Sequence, residues 1–219
     1  MPAKILSFDL DGTLIDINFD RFLWYEELPR LYSEQNGVPL EKAREVFLSE
    51  YREVGLNRIE WYDLSFWVAR LDIRVEPQKL VSDLRHKIAV YPDVLPSLKK
   101  LKREGRRMVV FSNTPKMFLQ AKIKTDGLDG YFERLISASS EYSKVKCHEG
   151  AFKRLAEELG VKTSDILHIG DSFELDYVPA LREGCAAVLL ERPEIPAERK
   201  IMQKGVRKIA SLLELEAVL

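Results

Sequence analysis

The stretch KILSFDLDGTLID, residues 4–16, ends an apolar run in two aspartates, Asp9 and Asp11, followed by Gly12. At the end of a buried strand two carboxylates repel each other and lose hydration, so the pair calls for a cation or a reaction. Two carboxylates with separate tasks serve well as a nucleophile and an acid–base group. Gly12 permits a sharp turn directly behind them. The plain alternative is an Asp-Gly turn joining a strand to a helix.

Three other stretches carry groups suited to the same chemistry. VVFSNTP places Ser112 behind four apolar residues, where a hydroxyl and backbone N–H groups at a helix start hold a phosphate; Ser-Asn also makes an ordinary turn or cap. SSEYSKVKCHEGAF offers Lys144 and Lys146, either able to neutralise charge on a transferring phosphoryl group, and either equally able to be a solvated loop lysine. ILHIGDSFELD sets Asp171 behind Gly170, with Asp176 five residues on. A carboxylate there can meet Asp9 and share a hard cation, which prefers oxygen ligands. His168 lies inside its strand and reads as a packed histidine. Cys147, His148 and the distant Cys185 lack zinc-site spacing.

These groups need elements to position them. Residues 4–9, 107–112, 134–138, 165–169 and 185–190 read as short buried strands. Between them PSLKKLKREG (96–105), KMFLQAKIKTDG (116–127) and EGAFKRLAEELG (149–160) have helical spacing and end in glycine. The alternation predicts an α/β fold, a Rossmann-like parallel sheet with helices on both faces. Ligands bind beyond the carboxyl ends of such strands, where Asp9, Asp11, Ser112 and Asp171 fall.

Residues 16–88 break the rhythm with amphipathic stretches at 19–37 and 40–55, and hold all three tryptophans. They predict an inserted α-helical cap domain, 16–88, with residues 1–15 and 89–219 as the core. Of the 21 aromatic residues 11 lie in this insert, which fits a small helical domain filling its own core. Residues 192–200 read as a surface connection and 205–219 as a closing helix.

Lys plus Arg is 34 against 35 for Asp plus Glu, so no basic footprint points to nucleic acid or an anionic membrane. No apolar run spans a bilayer, no signal-peptide pattern precedes the first strand, and two cysteines make no disulfide framework, so the cytoplasm is expected.

Taken in order, DLDGT, FSN, a lysine and GDSxxxD resemble the haloacid dehalogenase-like superfamily, in its phosphatase branch with a helical cap after the first strand. The resemblance covers residues 1–15 and about 89–219. It implies a Mg²⁺-dependent phosphohydrolase acting on a small phosphorylated metabolite through an aspartyl-phosphate. By position, Asp9 is the nucleophile and Asp11 the general acid and base. Ser112, with Asn113 beside it, and Lys146 bind the phosphoryl group. Asp9, the Asp11 main-chain carbonyl and Asp171 hold Mg²⁺, supported by Asp176. Lys146 fits the family lysine because Phe152 follows six residues later. Lys146-Cys147-His148 stands where the family often has Lys-Pro, which leaves Lys144 as the alternative. Other readings on the same core are a phosphomutase, a 2-haloacid dehalogenase, which needs no acid at the Asp11 position, and a non-catalytic binding protein.

Overall fold

The five apolar runs become five strands of one parallel sheet in the computed structural model, which describes residues 3–192 and 203–219. They are β1 (Ile5–Phe8), β2 (Arg107–Ser112), β3 (Arg134–Ser137), β4 (Ile166–Gly170) and β5 (Ala186–Leu190). A two-residue strand, β6 (Lys208–Ile209), extends the order to β3-β2-β1-β4-β5-β6. The strands are apolar on both faces because helices cover both. Leu6, Phe8, Val110, Leu167 and Ile169 belong to one core cluster. Their alternating neighbours Ile5, Val109, Phe111, Ile136 and Ile166 belong to another.

The segment between β1 and β2 is helical. It holds α1 (Asn18–Phe22), a π-helical turn (Leu23–Glu27), α2 (Leu28–Asn36), α3 (Leu40–Val54), α4 (Leu64–Arg70) and α5 (Pro77–Asp83). The same connection returns to β2 through α6 (Val94–Arg103), and the later crossovers carry α7 (Lys116–Ile123), α8 (Ala138–Tyr142), α9 (Ala151–Leu159) and α10 (Val178–Arg182). The insert's two ends lie side by side: Asp16 N–H donates to the Ala89 carbonyl at 2.9 Å, and Tyr91 N–H to that of Leu14 at 3.1 Å. Its aromatic residues continue the sheet's first cluster through α7, where Phe19 and Trp24 meet the Phe118 ring edge-on at 6.0 and 6.3 Å.

Two expectations fare differently at the C-terminal end. Residues 205–219 do not form one closing helix. Leu189 and Glu191 donate backbone hydrogen bonds to Arg207 and Ile209, drawing that stretch into the sheet edge. A 3₁₀ stretch, Leu212–Val218, starts only after Ser211 caps it by accepting from Leu213 N–H. The expected surface connection at 192–200 lies, apart from Arg192, outside the described residues.

Candidate active site

β1 sits between β2 and β4, at the point where the strand order turns, so all three carboxyl ends open into one crevice. Asp9 N–H donates to the Ile169 carbonyl at 2.8 Å, carrying the ladder one residue past β1. A cavity of about 320 Å³ lies there, lined by Asp9, Asp11, Ser112, Asn113, Lys146, Asp171 and Asp176. The topology thus gathers every candidate site residue except Lys144, whose Nζ donates to the Glu149 carbonyl at 3.0 Å on the exposed surface.

Two glycines make the close packing possible. Gly12 has φ +79°, and a Cβ there would lie 2.2 Å from an Asp171 carboxylate oxygen. A Cβ on Gly170 would lie 2.3 Å from Asp176 Cγ. The glycines of the DG and GD pairs are therefore the space into which the opposing carboxylates fit.

Lys146 is buried and donates to Asp9 at 2.6 Å and to Asp176. Burial works against its charge, but Asp176 and Asp9 outweigh it and raise the lysine above its usual range. Asp176 is likewise pushed up by burial but is brought well below the ordinary carboxylate range by Lys146 and His168. It also accepts from Ser172 N–H at 3.0 Å. A π-helical turn, Phe173–Tyr177, carries Asp176 back towards β4. His168 is packed, as expected, between Ser7 Oγ at Nδ1 and Asp176 at Nε2, each 3.0 Å away. One neutral tautomer satisfies both, with Nε2–H donating to Asp176, and burial holds the ring's pKa low.

Asp9 and Asp171 are the less contented carboxylates. Burial raises Asp9 to about 6, with the charges of Asp176 and Asp11 adding to it and Lys146 opposing. Burial raises Asp171 well above the usual range, and Asp9 and Asp176 add to this. Among the described residues no side chain donates a hydrogen bond to Asp171. Oxygens of Asp9, Asp171 and Asp176 lie within 4.8 Å of one another, among the described residues the one such grouping of His, Cys, Asp and Glu side chains.

The Asp11 side chain has partners of its own. Thr114 Oγ1 donates to one oxygen and Lys122 Nζ, 2.6 Å away, to the other. Lys122 also reaches both oxygens of Asp20, at 2.8 and 2.7 Å. Burial, with Asp11 beside it, raises the Asp20 carboxyl to about 7 against the pull of Lys122. Thr114, Lys122 and Asp20 were not legible as site residues. One signal existed: Lys122 falls on the buried stripe Phe118, Leu119, Ile123 of α7, where an apolar residue belongs.

Ser112 is buried and shares hydrogen bonds with Thr114 through its hydroxyl, at 3.1 and 3.2 Å. Asn113 accepts from Lys146 N–H at 2.8 Å and donates to Tyr62 of the insert at 3.1 Å. The Cys147-His148 departure faces the insert too, with His148 Nε2 2.6 Å from the Asn57 carbonyl.

The chain is similar to several known proteins. The GMP/IMP nucleotidase YrfG of Escherichia coli (strain K12) is 27% identical over 164 residues, covering 75% of this chain and 72% of that protein. The phosphoglycolate phosphatase of Vibrio parahaemolyticus is 27% identical over 195 residues, 84% and 82% of the two chains. A crystal structure of a HAD phosphatase from Thermococcus onnurineus superposes with a TM-score of 0.84 at 28% identity, covering 100% of this chain and 97% of that one. The family model of the haloacid dehalogenase-like hydrolases matches residues 3–184, from the start of β1 through the GD pair and α10. With its strand-end aspartates on the sheet that this match spans, the chain belongs to the haloacid dehalogenase-like hydrolase family.

Proposed function

We propose that the protein is a magnesium-dependent phosphomonoesterase that passes the phosphoryl group through Asp9. The observation that carries this reading is the convergence of Asp9 and Asp171 from adjacent strand ends, with Lys146 beside Asp9 and Asp11 held apart by other partners. The donor set fits a hard divalent cation: three clustered carboxylates, one of them without a side-chain donor among the described residues. Asp9, Asp171 and the Asp11 main-chain carbonyl would hold Mg²⁺, with Asp176 supporting. When bound it neutralises charge where an anionic ester meets a carboxylate.

Ser112, Asn113 and Lys146 hold the phosphoryl oxygens. An Asp9 oxygen bonds to phosphorus as the ester oxygen leaves, and the Asp11 carboxyl gives that oxygen its proton. A water oxygen then bonds to phosphorus, its proton passes to Asp11, and Asp9 departs as a carboxylate, releasing orthophosphate. Residues 1–15 and 89–219 form the catalytic core and 16–88 a lid.

For the leaving group, the lid side of the cavity is lined by Trp24, Tyr25, Trp61 and Tyr62, and the core side adds Phe118. Aromatic faces favour a planar, largely apolar group over a small carboxylate, so a nucleoside monophosphate suits the cavity better than phosphoglycolate. The test is a screen of phosphate esters including GMP, IMP and phosphoglycolate, with Mg²⁺ and with chelator. The reading predicts Mg²⁺-dependent release of orthophosphate, fastest from the nucleotides. Turnover undiminished after exhaustive chelation, or no ester hydrolysed, contradicts it.

A further inference from the structure

Lys122 is a core lysine whose side chain is 1% exposed. An ammonium has three protons to donate, and this one has three carboxylate contacts, one to Asp11 and two to Asp20. Its Nζ lies 4.9 Å from the Phe19 ring centre and 5.9 Å from that of Phe118, so aromatic faces shield it from water. As a packing residue on α7 it is a poor choice, since an apolar side chain fills such a site without desolvating a charge. What it does is fix one oxygen of Asp11 while Thr114 fixes the other. Each oxygen retains a further lone pair for the proton Asp11 must carry.

We propose that Lys122 is a positioning residue for Asp11, and that Asp20 makes this positioning depend on the seating of α1 against α7. The inference rests on the phosphatase reading above. Asp20 comes from the first helix of the insert, Lys122 from the core, and Asp11 from the loop after β1. Separating α1 from α7 takes away two of the three bonds that hold the lysine's ammonium in place at Asp11. The insert thereby acts on the proton-transfer step through a polar bridge.

Leaving-group dependence tests this in the full-length protein. kcat/KM reports the steps through phosphoenzyme formation, in which an alkyl phosphate needs a proton from Asp11 and a dinitrophenyl phosphate does not. For Lys122→Met we expect kcat/KM to fall about 100-fold with the alkyl ester and by less than about fivefold with the dinitrophenyl ester. Asp20→Asn, which keeps the lysine and the side-chain shape, is expected to give the same pattern at about tenfold. If Lys122→Met does not fold, Asp20→Asn decides. Equal losses on both esters, or no loss on the alkyl ester, overturn the proposal. A wild-type protein inactive on both esters overturns the phosphatase reading instead, and this inference with it.

Discussion

At the scale of single residues, the two glycines of the DG and GD pairs tie the sequence motif most directly to the packing. Gly170→Ala places a methyl group 2.3 Å from Asp176 Cγ, so Asp176 must move and Lys146 loses a partner. We expect a destabilisation of about 1–3 kcal/mol in urea unfolding and at least a tenfold loss of turnover. Asp171→Asn removes a carboxylate to which no side chain among the described residues donates; the Mg²⁺ concentration for half-maximal activity should rise at least ~10-fold, measured by titration. The carboxylates were legible because their spacing is local: DxD and GDSxxxD each lie within one strand end and its turn. Lys122 and Asp20 were not, because only the packing of α1 on α7 brings the two helix charges together, with the lysine buried and the aspartate partly so. Lys146 could be set above Lys144 only through the resemblance, and the geometry gives the same order, with one lysine on Asp9 and the other at the surface.

At the scale of elements, the β-α alternation was readable because each strand is a short apolar run and its helices end in glycine. β6 was not, since two residues carry no periodicity and their place is set by the edge of β5. Near that edge Arg192, buried and stacked 3.8 Å from the Tyr91 ring centre, bonds both oxygens of Asp93 and, at 2.5 Å, the Thr13 carbonyl. It so ties the loop after Asp11 to the start of α6. Burial pushes the Asp93 carboxyl up, but Arg192, Ser211 and Leu212 N–H together bring it below its usual value. A carboxyl lowered on folding stabilises the protein above its unfolded value of about 4, and that contribution is lost as pH falls through the lower folded value. Asp93→Asn should therefore cost about 1–3 kcal/mol in urea unfolding at neutral pH, with the difference from wild type closing below about pH 4.

At the scale of the whole molecule, the insert is the part whose role the sequence left most open. The loss of strand pattern suggests its bounds in the sequence, and in the structure Asp16 N–H donates to the Ala89 carbonyl. Its aromatic content was expected to fill the insert's own core. Phe47 and Trp67 are buried and away from the cavity, whereas Trp24, Tyr51, Trp61 and Tyr62 line it, a division that depends on tertiary packing. If these rings receive the leaving group, Trp61→Ala should lower kcat/KM for a nucleoside monophosphate at least ~10-fold more than for a small aryl phosphate. Equal losses would place Trp61 in folding alone.

The central claim is that Asp9 carries the phosphoryl group, and acid-quenched single turnover with mass spectrometry tests it most directly. The account predicts one transient phosphoryl adduct on the peptide bearing Asp9, formed and lost at rates consistent with turnover. It predicts none in a folded Asp9→Asn protein, whose kcat falls at least ~10³-fold. Near wild-type hydrolysis by Asp9→Asn, or an adduct on another residue, would contradict it.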